Sequence, residues 1–457
     1  MAFSIIHPIL REIAGLFGER GREVCLVGGA VRDMLRGKKA KDWDLATDAT
    51  PQEVTEIFAA VRPRARVVPT GIRHGTVTVF HGGRAMEITT YRAESDYSDG
   101  RRPDSVSYGV SIEEDLSRRD FTMNAVALLL PKGKRIDPFG GAADIKAGLI
   151  RCVGDPALRF AEDGLRPLRA VRFAAQLSFA VEGRTLDAIG GALETTARVA
   201  AERVKDELEK IVASGKPSVA FLLMERTGLL KLLLPELAAC RGVGQKGSHR
   251  YDVLDHSLVA CDFAAGKDCP QDVRFAALLH DVGKFVVQGF DETGERTFHQ
   301  HETESARIAR NVLCRLRFPN AFVDRVCHLV AEHMFHYTDD WGNAAVRRFV
   351  VRVGGENLPA LYQLRRADTF AKAGREPPPD YLLPLIDRVE KILAESQAFT
   401  LRDLAVSGRD LMAMGIAPGK TLGKILNELL ESVLDDPGLN TRDGLLGIAE
   451  KLRDKFG

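Results

Sequence analysis

The apolar pattern changes character once along this chain, near residue 157, and that change limits the fold more than any other feature. Beyond it, residues 158–179, 201–212, 219–234, 272–279 and 302–316 carry apolar side chains at helical spacing, with few strand-like alternations. Before it the signals are mixed. Residues 5–17 have helical spacing, 24–27 form a short apolar run stopped by Gly28-Gly29, and 75–80 with 85–90 predict a hairpin around Gly82-Gly83. An α+β unit followed by all-α units is the architecture this implies. At about 150 residues per domain, 457 residues make roughly three units. Punctuation falls at 242–247, at Gly354-Gly355 and at Pro377-Pro378-Pro379, and there is no internal repeat.

Composition narrows the class. With 45% hydrophobic and 28% charged residues the chain is an ordinary globular protein, which excludes a mostly disordered or collagen-like one. Lys and Arg number 64 against 63 Asp and Glu, a net charge of +1, so any polyanion must be gripped by local patches rather than by the whole surface. The seven cysteines (Cys25, Cys152, Cys240, Cys261, Cys269, Cys314, Cys327) are scattered, odd in number and free of CxxC pairs. That argues for a reducing compartment and against a disulfide frame or a cysteine–zinc site. The first residues lack a basic segment followed by a signal-length apolar run, and no stretch approaches the roughly 18 apolar residues of a membrane span. A cytoplasmic chain with no membrane partner is expected.

Two groups of residues carry chemistry. The first begins with Val27-Gly28-Gly29-Ala30-Val31-Arg32-Asp33, which reads as strand, glycine turn and helix start, where backbone N–H groups can approach a phosphate. Lys41-Asp42-Trp43-Asp44-Leu45 follows. In an extended segment residues i and i+2 point the same way, so Asp42 and Asp44 share a face and can hold one or two Mg2+ ions, as phosphoryl transfer requires. Glu87 can add a third carboxylate from a neighbouring strand. Taken singly, Asp-x-Asp is an ordinary solvated turn and the glycine pair an ordinary strand end. Their ordered combination is what points to a site.

These segments, with Arg118-Arg119-Asp120-Phe121-Thr122-Met123-Asn124-Ala125, resemble the head of class II tRNA nucleotidyltransferases and bacterial poly(A) polymerases. The similarity continues through Asp137-Pro138-Phe139-Gly140-Gly141 and from Arg159 to Arg169. The resemblance implies an α+β fold class: a polymerase-beta-like nucleotidyltransferase head followed by an all-α neck, body and HD domain. It divides the chain into a head (1–150), neck and body helices that bind RNA and nucleotide (151–240), an HD metal-phosphohydrolase domain (241–380) and a C-terminal helical tail (381–457). It gives the metals to Asp42 and Asp44. Nucleotide binding falls to Gly28, Gly29, Arg32, Arg119, Asp120, Asn124, Asp163, Arg166 and Arg169.

Glu162-Asp163-Gly164-Leu165-Arg166 resembles the family's Glu-Asp-x-x-Arg, whose Asp and Arg read the incoming base. On a helix, Asp163 and Arg166 are i and i+3 and project from one face. A carboxylate only accepts hydrogen bonds and a guanidinium only donates. Cytosine and adenine both offer an amino donor beside a ring acceptor, whereas uracil and guanine invert that pattern. One fixed pair therefore admits CTP and ATP, and each mismatched polar pair costs on the order of 1 to 3 kcal/mol when buried. The plain alternative is a surface ion pair worth a few tenths of a kcal/mol.

Residues 69–77 are similar to the CCA-adding type, and the Gly-basic-Arg-Phe stretch of poly(A) polymerases is lacking. Residues 94–103, followed by 105–116, resemble the flexible loop the family uses in switching from C to A. Addition of A alone stays open, because relatives that add only A also keep the loop. The resemblance implies transfer of C, C and A from CTP and ATP to the tRNA 3′ end. Rival readings are a poly(A) polymerase, a metal phosphohydrolase whose head merely binds RNA, and a silent RNA-binding adaptor. Arg62, Arg64, Arg66 and Arg73 in the head, and Arg198, Arg203, Lys205 and Lys210 beyond it, are the candidate phosphate contacts.

The second group is histidine-rich: eight of eleven histidines lie between 249 and 336. His280-Asp281 offers an imidazole nitrogen and a carboxylate oxygen to a divalent metal, a mixed set suited to Mn, Fe, Co, Ni or Mg and poorly suited to structural zinc. With His256 upstream and Asp368 downstream it resembles the His…His-Asp…Asp set of HD phosphohydrolases. His301 and His333 occupy places where related domains supply further ligands, enough for a second metal. The resemblance implies hydrolysis of phosphomonoesters or 2′,3′-cyclic phosphates. Residues 401–419 also resemble the end of such HD-bearing enzymes.

Overall fold

The structure is a computed structural model, and it describes residues 6–40, 42–61, 65–72, 75–95, 105–245, 250–395 and 400–456. Lys41, Arg62, Arg64, Arg73, His249 and residues 96–104 of the expected loop lie outside the described residues. The chain forms two compact units, Met1–Ala239 with Arg315–Phe318, and Cys240–Cys314 with Pro319–Gly457.

The first unit is built on a mixed seven-stranded sheet. Its strands are β1 (Val24–Val27), β2 (Trp43–Thr47), β3 (Ala65–Gly71), β4 (Thr76–His81), β5 (Arg84–Thr90), β8 (Ala127–Leu129) and β9 (Lys134–Ile136); β6 (Arg92–Ser95) and β7 (Ser105–Tyr108) pair separately. The order is β3-β4-β5-β2-β1-β8-β9. The pairs are antiparallel except β2 with β5, which run parallel. β1 is buried along its whole length, which explains its unbroken apolar run. The β4–β5 hairpin turns at Gly82-Gly83 as expected. Alternation in β5 buries Met86 and Ile88 and turns Glu87 outward. One sheet face packs on Leu10, Ile13, Phe17, Val31 and Phe58, the other on Tyr91, Ile112, Leu116 and Val153.

The helical remainder departs from the sequence reading at one important place. Residues 158–179 do not form one helix: Pro156–Glu162 ends before Asp163, and Arg166–Leu177 starts afresh. Pro167 is the cause. In a continuous helix its ring would collide with the carbonyl of Asp163, four residues back, and it lacks the N–H that the helix needs there. Residues 219–234 are likewise divided into Ser218–Thr227 and Leu229–Leu233 at Gly228, which has φ 85°. The helix Ala201–Val212 matches its expected bounds.

The second unit is almost wholly helical. Val253–Gly266, Gln271–Leu279, Asn320–Glu332 and Leu358–Ala373 pack together, and the C-terminal helices Lys420–Asp435 and Arg442–Phe456 close a small core on Leu411, Ile425, Leu429 and Leu445. Arg347 donates to the carbonyls of Leu434 (2.6 Å) and Asp435 (2.9 Å), which satisfies the end of the helix Lys420–Asp435. No helix among the described residues is long and apolar enough to cross a membrane.

Candidate functional site

In the first unit a concave pocket of about 680 Å3 gathers most of the first group. The sheet sets its acidic side. β2 buries Trp43 and Leu45 and leaves Asp42 and Asp44 exposed on the opposite side, and Asp44 is in register with Glu87 of β5. Asp42 precedes the strand by one residue, and Glu87, though opposite Asp44, is not among the pocket-lining residues. Partial burial of the Asp44 carboxyl in the concavity, then the charge of Glu87, prevail over Arg119 and, with a smaller contribution from Asp42, raise Asp44 above its ordinary value. A cluster of oxygen donors whose mutual repulsion is relieved by a cation suits a hard divalent ion.

Gly28 joins β1 to the helix Gly29–Leu35 with φ +67° and ψ −134°, a conformation reserved for glycine. A Cβ there would lie 3.3 Å from Arg119 Nη1 and 3.7 Å from Asp44 Oδ2. The turn thus lets the basic and acidic walls meet.

The Arg-Arg-Asp segment supplies a buried scaffold for the basic wall. Asp120 Oδ1 accepts from Phe121 N (2.8 Å) and Asn124 Nδ2 (3.0 Å), and Oδ2 accepts from Arg169 Nε (2.8 Å). Asn124 Oδ1 in turn accepts from Arg32 Nη1 at 2.9 Å, so two arginines are tied to one frame. Burial alone would raise Asp120, but Arg169 and the Asn124 hydrogen bond outweigh it and bring it down to about 2. Asp115, fully buried, is likewise driven up by burial and brought below the ordinary range by Arg118 and Arg119. Its Oδ1 accepts from Arg118 Nη2 at 2.7 Å and its Oδ2 from Arg119 Nη2 at 3.2 Å.

Asp163 and Arg166 both line the pocket, although the expected helical i, i+3 geometry is replaced by a turn between two helices. Asp163 is extended, at φ −142° and ψ 109°, and receives a two-pronged contact from Arg203 (3.1 and 2.8 Å). Arg166 pairs with Glu162 and donates to the carbonyls of Arg159 (2.9 Å) and Arg118 (3.0 Å).

The pocket also includes Arg118, Leu165, Arg172, Phe173, Gln176, Arg203 and Lys210. Of these, Arg172, Phe173 and Gln176 escaped the sequence reading. Their signal was the recurrence of 166, 169, 172–173 and 176 at three- to four-residue spacing on a helix that buries everything except Arg169 and Gln176. Phe173 has the Arg172 guanidinium 3.7 Å from its ring centre, with Arg32 and Arg169 at 5.3 and 5.5 Å. Glu207, 2% exposed, pairs with Arg172 and lies 3.2 Å from Lys210 Nζ. Three of the expected phosphate contacts beyond the head are therefore engaged in ion pairs: Arg203 with Asp163, Lys210 with Glu207, and Lys205 with Asp206 at 3.2 Å. Arg198 is exposed, and Arg66 is exposed beside Phe80.

In the second unit all six histidine and aspartate candidates converge. His256 and His280 approach through their Nε2 atoms (3.1 Å), and Asp368 Oδ1 lies 3.2 Å from His256 Nε2 and 3.7 Å from His280 Nε2. Asp281 sits between two histidine pairs. Its Oδ2 is 3.4 Å from both His256 and His280, and its Oδ1 is 3.2 Å from His301 and 3.7 Å from His333. His280, His301 and His333 each direct Nδ1 at the carbonyl three residues earlier (Ala277, Phe298, Val330) at 2.7 to 2.9 Å. A carbonyl only accepts, so Nδ1 carries the proton and Nε2 is turned inward, the tautomer a metal needs. Burial, then the neighbouring His280, lowers His333 to about 3, which keeps it neutral. Asp281 and Asp368 are held well below the ordinary range: burial pushes up, and the surrounding histidines, with Lys284 beside Asp281, prevail. A cavity of about 260 Å3 opens onto the cluster, lined also by Lys284, Met334, Arg365, Thr369, Lys372 and Tyr381.

The poly A polymerase head domain family matches residues 24–151, the probable RNA- and SrmB-binding site of polymerase A matches 178–241, and the HD domain family matches 248–381. The chain is 33% identical over 98% of its length to the CCA-adding enzyme of Leuconostoc mesenteroides, covering 96% of that protein. It is 46% identical to the CCA-adding enzyme of Lactobacillus helveticus, over 97% of this chain and 96% of the other. It is also 36% identical to the A-adding tRNA nucleotidyltransferase of Deinococcus radiodurans, over 89% and 90% of the two chains. Among solved structures, the CCA-adding enzyme of Bacillus stearothermophilus in complex with CTP superposes with a TM-score of 0.73 at 29% identity, over 98% of this chain and 99% of that one. The chain belongs to the tRNA nucleotidyltransferase and poly(A) polymerase family, and an HD domain follows its nucleotidyltransferase head in the sequence.

Proposed function

We propose that this enzyme is a tRNA nucleotidyltransferase that adds C, C and A to tRNA 3′ ends from CTP and ATP. The observation that carries the proposal is that one pocket is lined both by the carboxylates Asp42 and Asp44 and by the donor–acceptor pair Asp163 and Arg166. The relatives named as CCA-adding enzymes favour it over unbounded poly(A) synthesis.

We assign Asp42 and Asp44 as the holders of Mg2+, with Glu87 as a third carboxylate beside them; families of this kind generally use divalent metals. Mg2+ held by these residues would supply Lewis-acid activation of the primer 3′-hydroxyl and positive charge beside the pyrophosphate leaving group. The chain's own residues do the positioning. Arg32, Arg119 and Arg169, fixed by Asp115, Asp120 and Asn124, hold the nucleotide and its phosphates along the wall beside Gly28 and Gly29. Asp163 accepts from the base amino group and Arg166 donates to the ring nitrogen. The 3′-oxygen bonds to the α-phosphorus as the bond to pyrophosphate breaks.

For the second unit we propose an HD phosphohydrolase acting on phosphomonoesters or 2′,3′-cyclic phosphates. A divalent metal (Mn, Fe, Co, Ni or Mg) would be held by His256, His280, Asp281 and Asp368, with His301 and His333 available to a second ion. The inward-turned Nε2 atoms and mixed N/O donors support this set. We propose the division into 1–150, 151–240, 241–380 and 381–457; family matches at 24–151, 178–241 and 248–381 support its first three parts. A cytoplasmic setting suits seven cysteines that form no disulfide among the described residues.

The test is to supply each nucleoside triphosphate singly to a tRNA transcript lacking its 3′ end. Incorporation of CTP on that transcript, of ATP once CC is present, and of neither UTP nor GTP is expected. Indiscriminate incorporation would contradict the assignment of Asp163 and Arg166.

A further inference from the structure

We infer that the open face of the head sheet at Phe80 and Arg66 is a docking surface for the unpaired 3′ end of the RNA acceptor, with a base stacked on Phe80 and a phosphate held by Arg66. This rests on the reading of Asp42 and Asp44 as the residues at which the primer 3′-hydroxyl reacts.

The sheet register places this surface. Arg66 of β3 pairs with Phe80 of β4, and Phe80 pairs with Ala85 of β5. Directly opposed residues share a face, and along a strand the face repeats every second residue. The row Arg66, Phe80 and Ala85 therefore lies on the same face as the next row, which ends in Glu87 and Asp44. β4 stands two strands from β2, about 10 Å at ordinary strand spacing. The last nucleotides of a strand whose 3′-oxygen is at Asp44 pass over this region.

What the face offers there is a platform for bases. Over β1 and the end of β2 the same face is covered by the core of Cys25, Val27, Ala46 and Tyr91, whereas Arg66, Phe80, Ala85 and Glu87 are exposed. Phe80 is 45% exposed, and Gly82 and Gly83, which turn β4 into β5, place no side chain beside its ring. The Arg66 guanidinium lies 6.0 Å from the ring centre, and a concavity of about 520 Å3 is bordered by Arg66, Phe80, the two glycines and Arg84. Unlike Arg203, Lys205 and Lys210, Arg66 has no ion-pair partner among the described residues.

A single exposed aromatic residue is ordinary on a protein surface. An exposed ring with a cation beside it, on the face that carries the carboxylates, matches what unpaired RNA requires: a flat apolar surface for a base and a guanidinium for a phosphate. The charge along the face changes from acidic at Asp44 and Glu87 to basic at Arg66, so a strand lying across it has its phosphates drawn to the β3 edge. Stacking reads no base edge, so the same surface serves primers ending at the discriminator base, at C or at CC.

The experiment measures binding of two tRNA transcripts, one ending in CC and one trimmed to the last base pair of the acceptor stem. The full chain, Phe80→Ala, Phe80→Trp and Arg66→Gln are compared by fluorescence anisotropy across a salt series, with melting temperatures recorded alongside. Phe80→Leu, which keeps apolar bulk without a ring, is measured in the same way should Phe80→Ala fail to fold. The inference expects Phe80→Ala to bind the CC-ended transcript about ten- to a hundredfold more weakly, with KM for that transcript raised in ATP addition and KM for ATP unchanged. Phe80→Trp is expected to bind it as the native chain does. Arg66→Gln is expected to flatten the slope of log affinity against log salt by about 0.7. The trimmed transcript is expected to bind all of them alike. Unchanged affinity of Phe80→Ala for the CC-ended transcript, or an equal loss on both transcripts, overturns the inference and leaves Phe80 as an ordinary edge residue or a contact for another protein. Undiminished addition of A by Asp44→Ala overturns the placement of the reacting end instead.

Discussion

Asp44 stands directly opposite Glu87 across the parallel pairing of β2 and β5, with Trp43 and Leu45 buried on either side of it. A one-residue slip in that pairing would bury the carboxylate and expose the tryptophan, so the same alternation that builds the core also aims the acid. Asp44→Asn keeps the shape and removes a charge. It is expected to lower kcat/KM for CTP addition about a thousandfold, equivalent to about 4 kcal/mol, with Glu87→Gln costing less. Steady-state kinetics with folded variants checks the order.

The Asp120–Arg169 contact sets an acid limit on stability. Asp120 titrates near 2 in the folded protein, below the ordinary aspartate value near 3.9. The sign follows: its contribution, about 2 kcal/mol, is fully present above pH ~4 and is lost as the pH falls through about 2. Urea unfolding between pH 2 and 5 is expected to show this slope in the native chain and to show it reduced in Asp120→Asn.

Gly28→Ala tests the turn between the two walls. The backbone conformation costs an L-residue about 1 to 3 kcal/mol, and the added methyl presses on Arg119. A fall in melting temperature with a raised KM for nucleotide is expected. A variant with native stability and kinetics would show that the turn does not need glycine.

Metal binding by the second unit has a readout independent of catalysis. In an Asp42→Ala/Asp44→Ala background, which silences the head, metal-free protein titrated with Mn2+ is expected to rise in melting temperature. Saturation at a hundred times Kd is worth about 2.7 kcal/mol. His280→Ala, which removes the Nε2 donor 3.1 Å from that of His256, should abolish the rise.

Much of this site was visible in the residues themselves. The strand–glycine–helix turn at 24–35, the β4–β5 hairpin and the His280-Asp281 pair follow from local pattern, whereas His256, Asp368, His301 and His333 came from the resemblance to HD phosphohydrolases; the structure brings these histidines and aspartates together. The break at Asp163 was less visible because apolar spacing runs on through Phe160, Leu165 and Leu168, all buried. The proline rule at Pro167 was the one local signal that opposed a continuous helix. Partners of charges were not legible at all. Arg203 looks like any helix-surface cation until the fold brings it to Asp163, 40 residues away, and Glu207 gives no sign of being buried against Arg172. Such pairings are decided by tertiary packing, which periodicity does not encode.

The central claim is terminal C, C and A addition, and product length tests it most directly. Purified protein is incubated with tRNA transcripts ending at the discriminator base, at C and at CC, with CTP and ATP supplied separately and together, and products are resolved at single-nucleotide length. With both nucleotides, the account predicts three, two and one added residues respectively, followed by arrest. An unbounded ATP ladder, or addition of A alone with no C on any transcript, would contradict it.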